Sequence, residues 1–257
     1  VVEALEKVFR PAAVLLRNDS PVRSLEGLDT YIQPVLGHVP ERAELEENGV
    51  RFRAALGEGQ KTGWYFDHRE NRARLGKYVR GARVLDVFSY IGAWGIQAAA
   101  AGADQVLCLD ASQSALDELS ANAVLNGIEA RVGGIHGDAF DVLKSLRQER
   151  EKFDVVVLDP PAFIKRRKDI KEGIEAYRRL NQLAMRVLNK DGILVSASCS
   201  FHLRREELQK LMLQSARHLD RAMLVLEQGH QGPDHPVHPA IPETEYLKAF
   251  FTRVLLS

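Results

Sequence analysis

The feature that most constrains this chain is a run of short apolar segments alternating with amphipathic ones from about Gly81 onward, several ending on a carboxylate. Val84–Phe88 reads as a strand and Ile91–Ala101, rich in Ala, as the helix after it. Gln105–Leu109 reads as the next strand. A helix follows from Ser112 to Asn126, with Ser112 suited to cap it and Asn126-Gly127 to stop it. A strand over Ala130–His136 and a helix from Phe140 to Arg147 come next. Phe153–Leu158 carries the run of Val expected of a parallel strand buried on both faces. A helix near Ile174–Leu188, a strand Gly192–Ala197, a helix Arg204–His218 and strands at Ala222–Glu227 and Tyr246–Leu255 complete the series. Repeated βαβ of this kind predicts a mostly parallel sheet with helices on both faces. In such sheets ligands sit beyond the carboxyl ends of the strands, so the residues just past each strand carry the chemistry.

The region before this pattern is different in kind. Residues 1–56 hold a short helical start (Val2–Phe9), an apolar run Ala12–Leu16, a turn at Asn18-Asp19-Ser20-Pro21, and two strand-like pieces flanking Asn48-Gly49, a hairpin dipeptide. We read 1–56 as a small α+β domain and 57–257 as the larger α/β domain. No apolar run reaches the roughly 18–20 residues of a membrane span. The two cysteines, Cys108 and Cys199, fit neither a disulfide framework nor metal-ligand spacing, so a reducing, cytoplasmic setting without a metal is expected. The first residue is Val1 rather than Met, which suggests an upstream segment. Lys and Arg total 35 against 35 Asp and Glu, so overall charge does not advertise a nucleic-acid partner. Oligomeric state is left open.

Three strand ends carry carboxylates. The first reads Asp86-Val87-Phe88-Ser89-Tyr90-Ile91-Gly92, a turn that lacks the G-x-G-x-x-G of dinucleotide-binding loops. An acidic residue there repels a pyrophosphate but suits a ligand carrying an ammonium and a sulfonium. Asp110 ends the second strand, where a carboxylate can accept both ribose hydroxyls of a nucleoside. Asp138, in Gly137-Asp138-Ala139, is placed to take an adenine amino group. Each Asp alone also reads as a helix cap, and Gly92 as a packing glycine.

With Asp159-Pro160-Pro161 after the fourth strand, these residues resemble the motif series of class I S-adenosylmethionine-dependent methyltransferases. Gln60-Lys61-Thr62-Gly63-Trp64-Tyr65-Phe66-Asp67-His68-Arg69, Phe88-Ser89-Tyr90, Asp234-His235-Pro236 and Tyr246-Leu247-Lys248 are similar to segments of the bacterial 23S rRNA 5-methylcytosine methyltransferases. The resemblance implies a Rossmann-like domain with a seven-stranded, mostly parallel sheet, and S-adenosyl-L-methionine as cofactor. It implies that Thr62, Phe66, Arg69, Asp86, Phe88, Ser89, Tyr90, Gly92, Asp110, Asp138, Ala139 and Asp159 line the cofactor. It also implies 23S rRNA as the partner, and an N-terminal PUA domain that this sequence does not include.

Cytosine carbon 5 is a poor nucleophile, so methylating it calls for a thiolate that adds to carbon 6. Cys199, in Ser196-Ala197-Ser198-Cys199-Ser200-Phe201, falls just past the fifth strand and beside Asp159, which can support ring nitrogen 3. The family's catalytic cysteine sits in the same Ser-Cys-Ser context. A buried, inert thiol is the alternative, and it is the one that suits Cys108. Asp-Pro-Pro also occurs in amino-methyltransferases, so a guanine or exocyclic-nitrogen RNA methyltransferase, a small-molecule methyltransferase and an inactive RNA-binding module stay open. Expected substrate contacts are Pro160, Pro161, Phe163, Lys165, Arg166, Arg167 and His235, with Phe201 as a further stacking wall. Arg69, Arg72, Arg74, Lys77 and Arg80 form a second basic stretch that phosphates or solvent can satisfy.

Overall fold

The computed structural model describes residues 1–56 and 63–256 and divides into two compact units. The first comprises Val1–Leu45 and Arg53–Tyr65, the second Glu46–Phe52 and Phe66–Ser257.

In the first unit, α1 (Val2–Phe9) ends on Arg10 in the left-handed conformation. β1 (Val14–Asn18) pairs antiparallel with β2 (Tyr31–Leu36), and α2 (Pro21–Leu25) lies between them in sequence. Neither α2 nor β2 was expected. β2 is exposed along most of its length and contains Pro34, so it lacks the apolar alternation that reveals a strand. The hairpin of β3 (Arg42–Glu47) and β4 (Val50–Ala55) turns at Asn48 and Gly49, both at positive φ (55° and 78°), as a two-residue hairpin requires.

The second unit carries a seven-stranded sheet in the order β10-β11-β9-β8-β5-β6-β7. These strands are β5 (Arg83–Val87), β6 (Gln105–Asp110), β7 (Val132–His136), β8 (Phe153–Leu158), β9 (Leu188–Ser198), β10 (Arg221–Gly229) and β11 (Lys248–Leu256). The five strands from β9 to β7 run parallel, while β11 inserts antiparallel between β9 and β10. The chain winds outward from β5 through β6 to β7, then crosses to β8 on the other side of β5. That reversal is the switch point at which such sheets open a ligand crevice. The helices are α3 (Arg69–Leu75), α4 (Ala93–Ala100), α5 (Gln113–Leu125), α6 (Ala139–Gln148), α7 (Ile170–Val187) and α8 (Arg205–Arg217).

Strand alternation assigns the two faces of the sheet. Leu85, Val87, Val156, Leu158 and Leu194 pack with Tyr177, Leu180 and Ala184 of α7 and Leu208 of α8 in one continuous core. Asp86 and Asp159 project to the other face, where α4 supplies their partners. The hairpin tip belongs to this unit because Glu47 is buried there. Its carboxylate accepts from Arg72 Nε (2.6 Å) and Nη2 (3.0 Å) and from Gln97 Nε2 (2.8 Å).

Candidate active site

The turn after β5 is wound tightly. Phe88, Tyr90 and Gly92 all have positive φ (66°, 50° and 87°), a conformation that non-glycine residues hold only when the surroundings enforce it. The enforcing bonds come from β6. The backbone N–H groups of Phe88 and Ser89 both donate to the Leu109 carbonyl (2.9 and 3.0 Å), and Tyr90 N–H donates to Asp110 Oδ2 at 2.8 Å. Gly92 is required on two counts, its φ and the Leu119 Cδ1 that would lie 2.1 Å from an added Cβ.

Asp86 is fully buried beneath this turn. Its Oδ2 accepts from Gly95 N–H (2.9 Å), while Oδ1 has no hydrogen-bond partner among the described residues, and neither does the buried Ser89 Oγ. Burial pushes the Asp86 carboxyl up to about 8, and the charges of Asp159 and Asp110 add to the rise. Asp86 feels the charges of Asp159 and Asp110, and two buried polar atoms here lack partners among the described residues; a cationic ligand with hydrogen-bonding groups would relieve both. S-adenosylmethionine, with an ammonium and a sulfonium, fits that donor set.

Asp110 Oδ1 accepts from Ser112 N–H (2.9 Å), so this carboxylate ties the β5 turn to the start of α5. Asp138 caps α6 through Oδ1, which accepts from Phe140 N–H (2.9 Å) and Asp141 N–H (3.2 Å). Asp138 is exposed, its Oδ2 forms no hydrogen bond among the described residues, and the following Ala139 is buried. The cap and the ligand readings of Asp138 are therefore compatible. Thr62 lies outside the described residues.

Asp159 is clamped from two sides. Trp94 Nε1 of α4 donates to its Oδ2 (2.9 Å), and His68 Nε2 lies 3.1 Å from its Oδ1. Asn71 fixes the histidine's tautomer. Its amide nitrogen donates to the His230 carbonyl and to His68 Nδ1 (3.1 Å each), and its oxygen accepts from Arg74. Nδ1 is thus an acceptor, and the ring proton sits on Nε2, which lies close to Asp159 without the alignment of a full hydrogen bond. Burial alone would raise Asp159, but His68, Trp94 and Arg72 outweigh it and hold the carboxyl below its usual range.

Cys199 follows the end of β9, half-buried. Ser198 Oγ donates to Tyr177 Oη (2.8 Å), which also pairs with Ser200 Oγ (2.9 Å) on the α7 side of the sheet. Cys199 is the first residue past this strand and interacts electrostatically with Lys248, Tyr246 and Tyr177. Lys248 of β11 is buried and donates to the carbonyls of Ser200 and Leu203, both at 2.6 Å. Burial pulls the Lys248 ammonium down to about 8, and interaction with Cys199 opposes that fall. The same coupling acts in reverse, so the Lys248 charge favours a Cys199 thiolate. Cys108, fully buried among carboxylates, has its thiol pushed well above the ordinary value and is inert.

The remaining candidates divide. Phe66 is exposed, and the adjacent Asp67 accepts from Tyr246 Oη (2.9 Å). Arg69 pairs with Asp234 (3.2 Å), whose neighbour His235 lies 3.3 Å away. Phe163 is half-buried in an aromatic cluster with Tyr177 (4.8 Å), Phe140 and Phe88, and Phe201 is exposed beside His202. Pro160 is buried and Pro161 exposed. Lys165, Arg166, Arg167 and Lys168 are exposed in the turn before α7 and form no ion pair among the described residues. The second basic stretch reads differently from expectation. Arg72 is spent on Glu47, and Arg74 and Lys77 lie 3.7 and 3.1 Å from Glu227, so with Arg69 on Asp234 four of its members pair with carboxylates.

His68, Trp94, Tyr177 and Lys248 were not among the expected functional side chains. His68 and Lys248 fall inside the motif segments Gln60–Arg69 and Tyr246–Lys248, which was their only signal. Nothing local marks Trp94 or Tyr177, because each acts through a strand end remote in sequence.

A family model described as S-adenosylmethionine-dependent methyltransferase matches residues 28–242. Ribosomal RNA large subunit methyltransferase I of Klebsiella pneumoniae (strain 342) is 36% identical over 257 residues, covering 99% of this chain. The chain spans 64% of that relative's length. Among solved structures, a SAM-dependent methyltransferase from Streptococcus mutans superposes with a TM-score of 0.83 at 21% identity, over 98% of this chain and 64% of that one. The SAM-dependent methyltransferase from Agrobacterium tumefaciens gives 0.71 at 20% identity, over 98% and 80%. At those identities the likeness is one of fold.

Proposed function

Because the chain belongs to the S-adenosylmethionine-dependent methyltransferase family, we propose that it methylates carbon 5 of a cytosine in bacterial 23S rRNA, with Cys199 as nucleophile. The observation that carries this reading is the setting of Cys199. It follows the end of β9, the strand paired with the one that precedes Asp159, between serines held by Tyr177 and beside a buried lysine. The name of the Klebsiella relative supports ribosomal RNA as the substrate class.

In this mechanism the Cys199 thiolate forms a bond to cytosine carbon 6, and the displaced electron pair makes carbon 5 enamine-like. Asp159, fixed by His68 and Trp94 and held as a carboxylate, stands at the neighbouring strand end to accept from nitrogen 3 once that atom takes up a proton as carbon 6 is attacked. When bound, the cofactor would supply an electrophilic methyl group on sulfur; carbon 5 takes it as the carbon–sulfur bond breaks and a neutral thioether departs. A base removes the carbon 5 proton, and the returning electron pair expels the thiolate from carbon 6. Asp86 and Ser89 hold the cofactor's polar end, with Asp110 on its ribose and Asp138 at its adenine. Lys165, Arg166 and Arg167 hold phosphates near the target base, which leaves its stack to reach Cys199.

The test is transfer of labelled methyl groups to 23S rRNA followed by nucleoside analysis, with Cys199→Ala in parallel. Labelled 5-methylcytidine, lost in the variant while cofactor affinity persists, is the expected result. A methylated guanosine, or full activity in the variant, would discard the cysteine mechanism and keep the cofactor.

A further inference from the structure

A second concentration of charge lies far from these strand ends. At the opposite edge of the sheet, where β8 begins, a cavity of about 330 Å³ is lined by Arg147, Arg150, Lys152, Arg186, Leu219 and Arg221. Its cations come from separate elements: the last turns of α6 and α7, the segment entering β8, and the first residue of β10. Among the described residues Leu219 is the one uncharged wall, and no carboxylate lines the cavity. Among the described residues, none of the five cations forms an ion pair with Asp or Glu. Two reach carbonyls instead, Lys152 Nζ to Arg186 O (2.7 Å) and Arg221 Nη1 to Leu188 O (3.5 Å).

These groups repel one another in a chain. Burial lowers Arg186, Arg221 and Lys152, and like charge adds to it: Arg147 acts on Arg186, Arg186 on Arg221, and Arg221 on Lys152. The carboxyl ends of α6 and α7 offset part of this, since each helix end carries about half a negative charge. That leaves most of five positive charges facing one space, in a protein whose net charge is +0. Arginine forks arranged around a cavity match the oxygens of phosphate groups. The volume equals on the order of ten waters at about 30 Å³ each, room for a nucleotide-sized anionic group.

We propose that this basic cavity binds backbone phosphates of the RNA substrate, anchoring it at a second point away from the methyl-transfer edge. The proposal rests on the RNA reading given under the proposed function. It supplies what overall charge does not, a local field strong enough to hold a polyanion.

The experiment compares wild type with the double variant Arg186→Gln/Arg221→Gln, titrating both with 23S rRNA across a range of KCl concentrations. Each phosphate that the protein no longer neutralises reduces the slope of log affinity against log salt by about 0.7–0.9. The variant is expected to show a slope smaller by one to two such steps and to bind RNA more weakly at low salt, with cofactor affinity unchanged. In a second arm, pyrophosphate at fixed ionic strength should raise the Tm of wild type and not of the variant. If wild type binds RNA and the variant matches it in affinity and slope, the anchor is refuted while the RNA reading stands. A pyrophosphate effect in that case would reassign the cavity to a free phosphate compound. If wild type does not bind RNA at all, both readings fall together.

Discussion

Tyr177→Phe isolates what holds the Cys199 loop. The tyrosine is fully buried, and its hydroxyl joins Ser198 Oγ at 2.8 Å to Ser200 Oγ at 2.9 Å, on the two residues flanking Cys199. Removing the oxygen leaves the ring in place, so no cavity opens and the cost is that of the polar groups alone. Ser198 loses its acceptor in a site closed to water. The Ser200 hydroxyl keeps only the weaker bond from Ile164 N–H, at 3.2 Å. Losing two buried hydrogen bonds costs about 2 kcal/mol, which for a domain of this size lowers Tm by roughly 4–8 °C. Urea unfolding should show a lower midpoint with an unchanged slope. Under the proposed mechanism this loop positions the nucleophile, so methyl transfer per folded molecule should fall roughly ten- to hundredfold while cofactor affinity holds. An unchanged midpoint would refute the network. A lower midpoint with unchanged transfer would confine it to stabilising α7 and remove it from the Cys199 loop.

Asp86 makes stability depend on pH. Its folded carboxyl, at about 8, lies above its unfolded value of about 4, so the folded protein binds more protons throughout that window. Stability of the cofactor-free protein should therefore fall as pH rises from about 4 to 8, by up to about 1.4 kcal/mol per pH unit. Asp86→Asn should remove that component, and parallel urea midpoints in wild type and variant would reveal an absent difference. Lys248→Gln removes the cation beside Cys199. With Cys108 fully buried, alkylation of the native protein reads Cys199, and its pH midpoint should move upward. Retention of the wild-type midpoint would show that Lys248 only ties down the Ser200 and Leu203 carbonyls.

The sequence by itself determined the sheet and the strand ends that carry the candidate site. Runs such as Val155-Val156-Val157 suit only a strand buried on both faces, and the alternation with helices leaves few topologies open. Once the strands are known, their ends are known, so Asp86, Asp110, Asp138, Asp159 and Cys199 were legible as a set. The β1–β2 pair was less so, because an exposed two-stranded ribbon needs no apolar period to form.

Only the tertiary structure decided how those groups are held. Glu47 meets Arg72 across 25 residues, Asp159 meets Trp94 across 65, and Lys248 reaches the Ser200 carbonyl across 48. Hydrogen-bond partners of this kind are chosen by strand order and register, and nothing local to either residue announces them. The same holds for Arg147, Arg186 and Arg221, which read singly as solvated surface charges. It takes the folded sheet to bring them around one cavity.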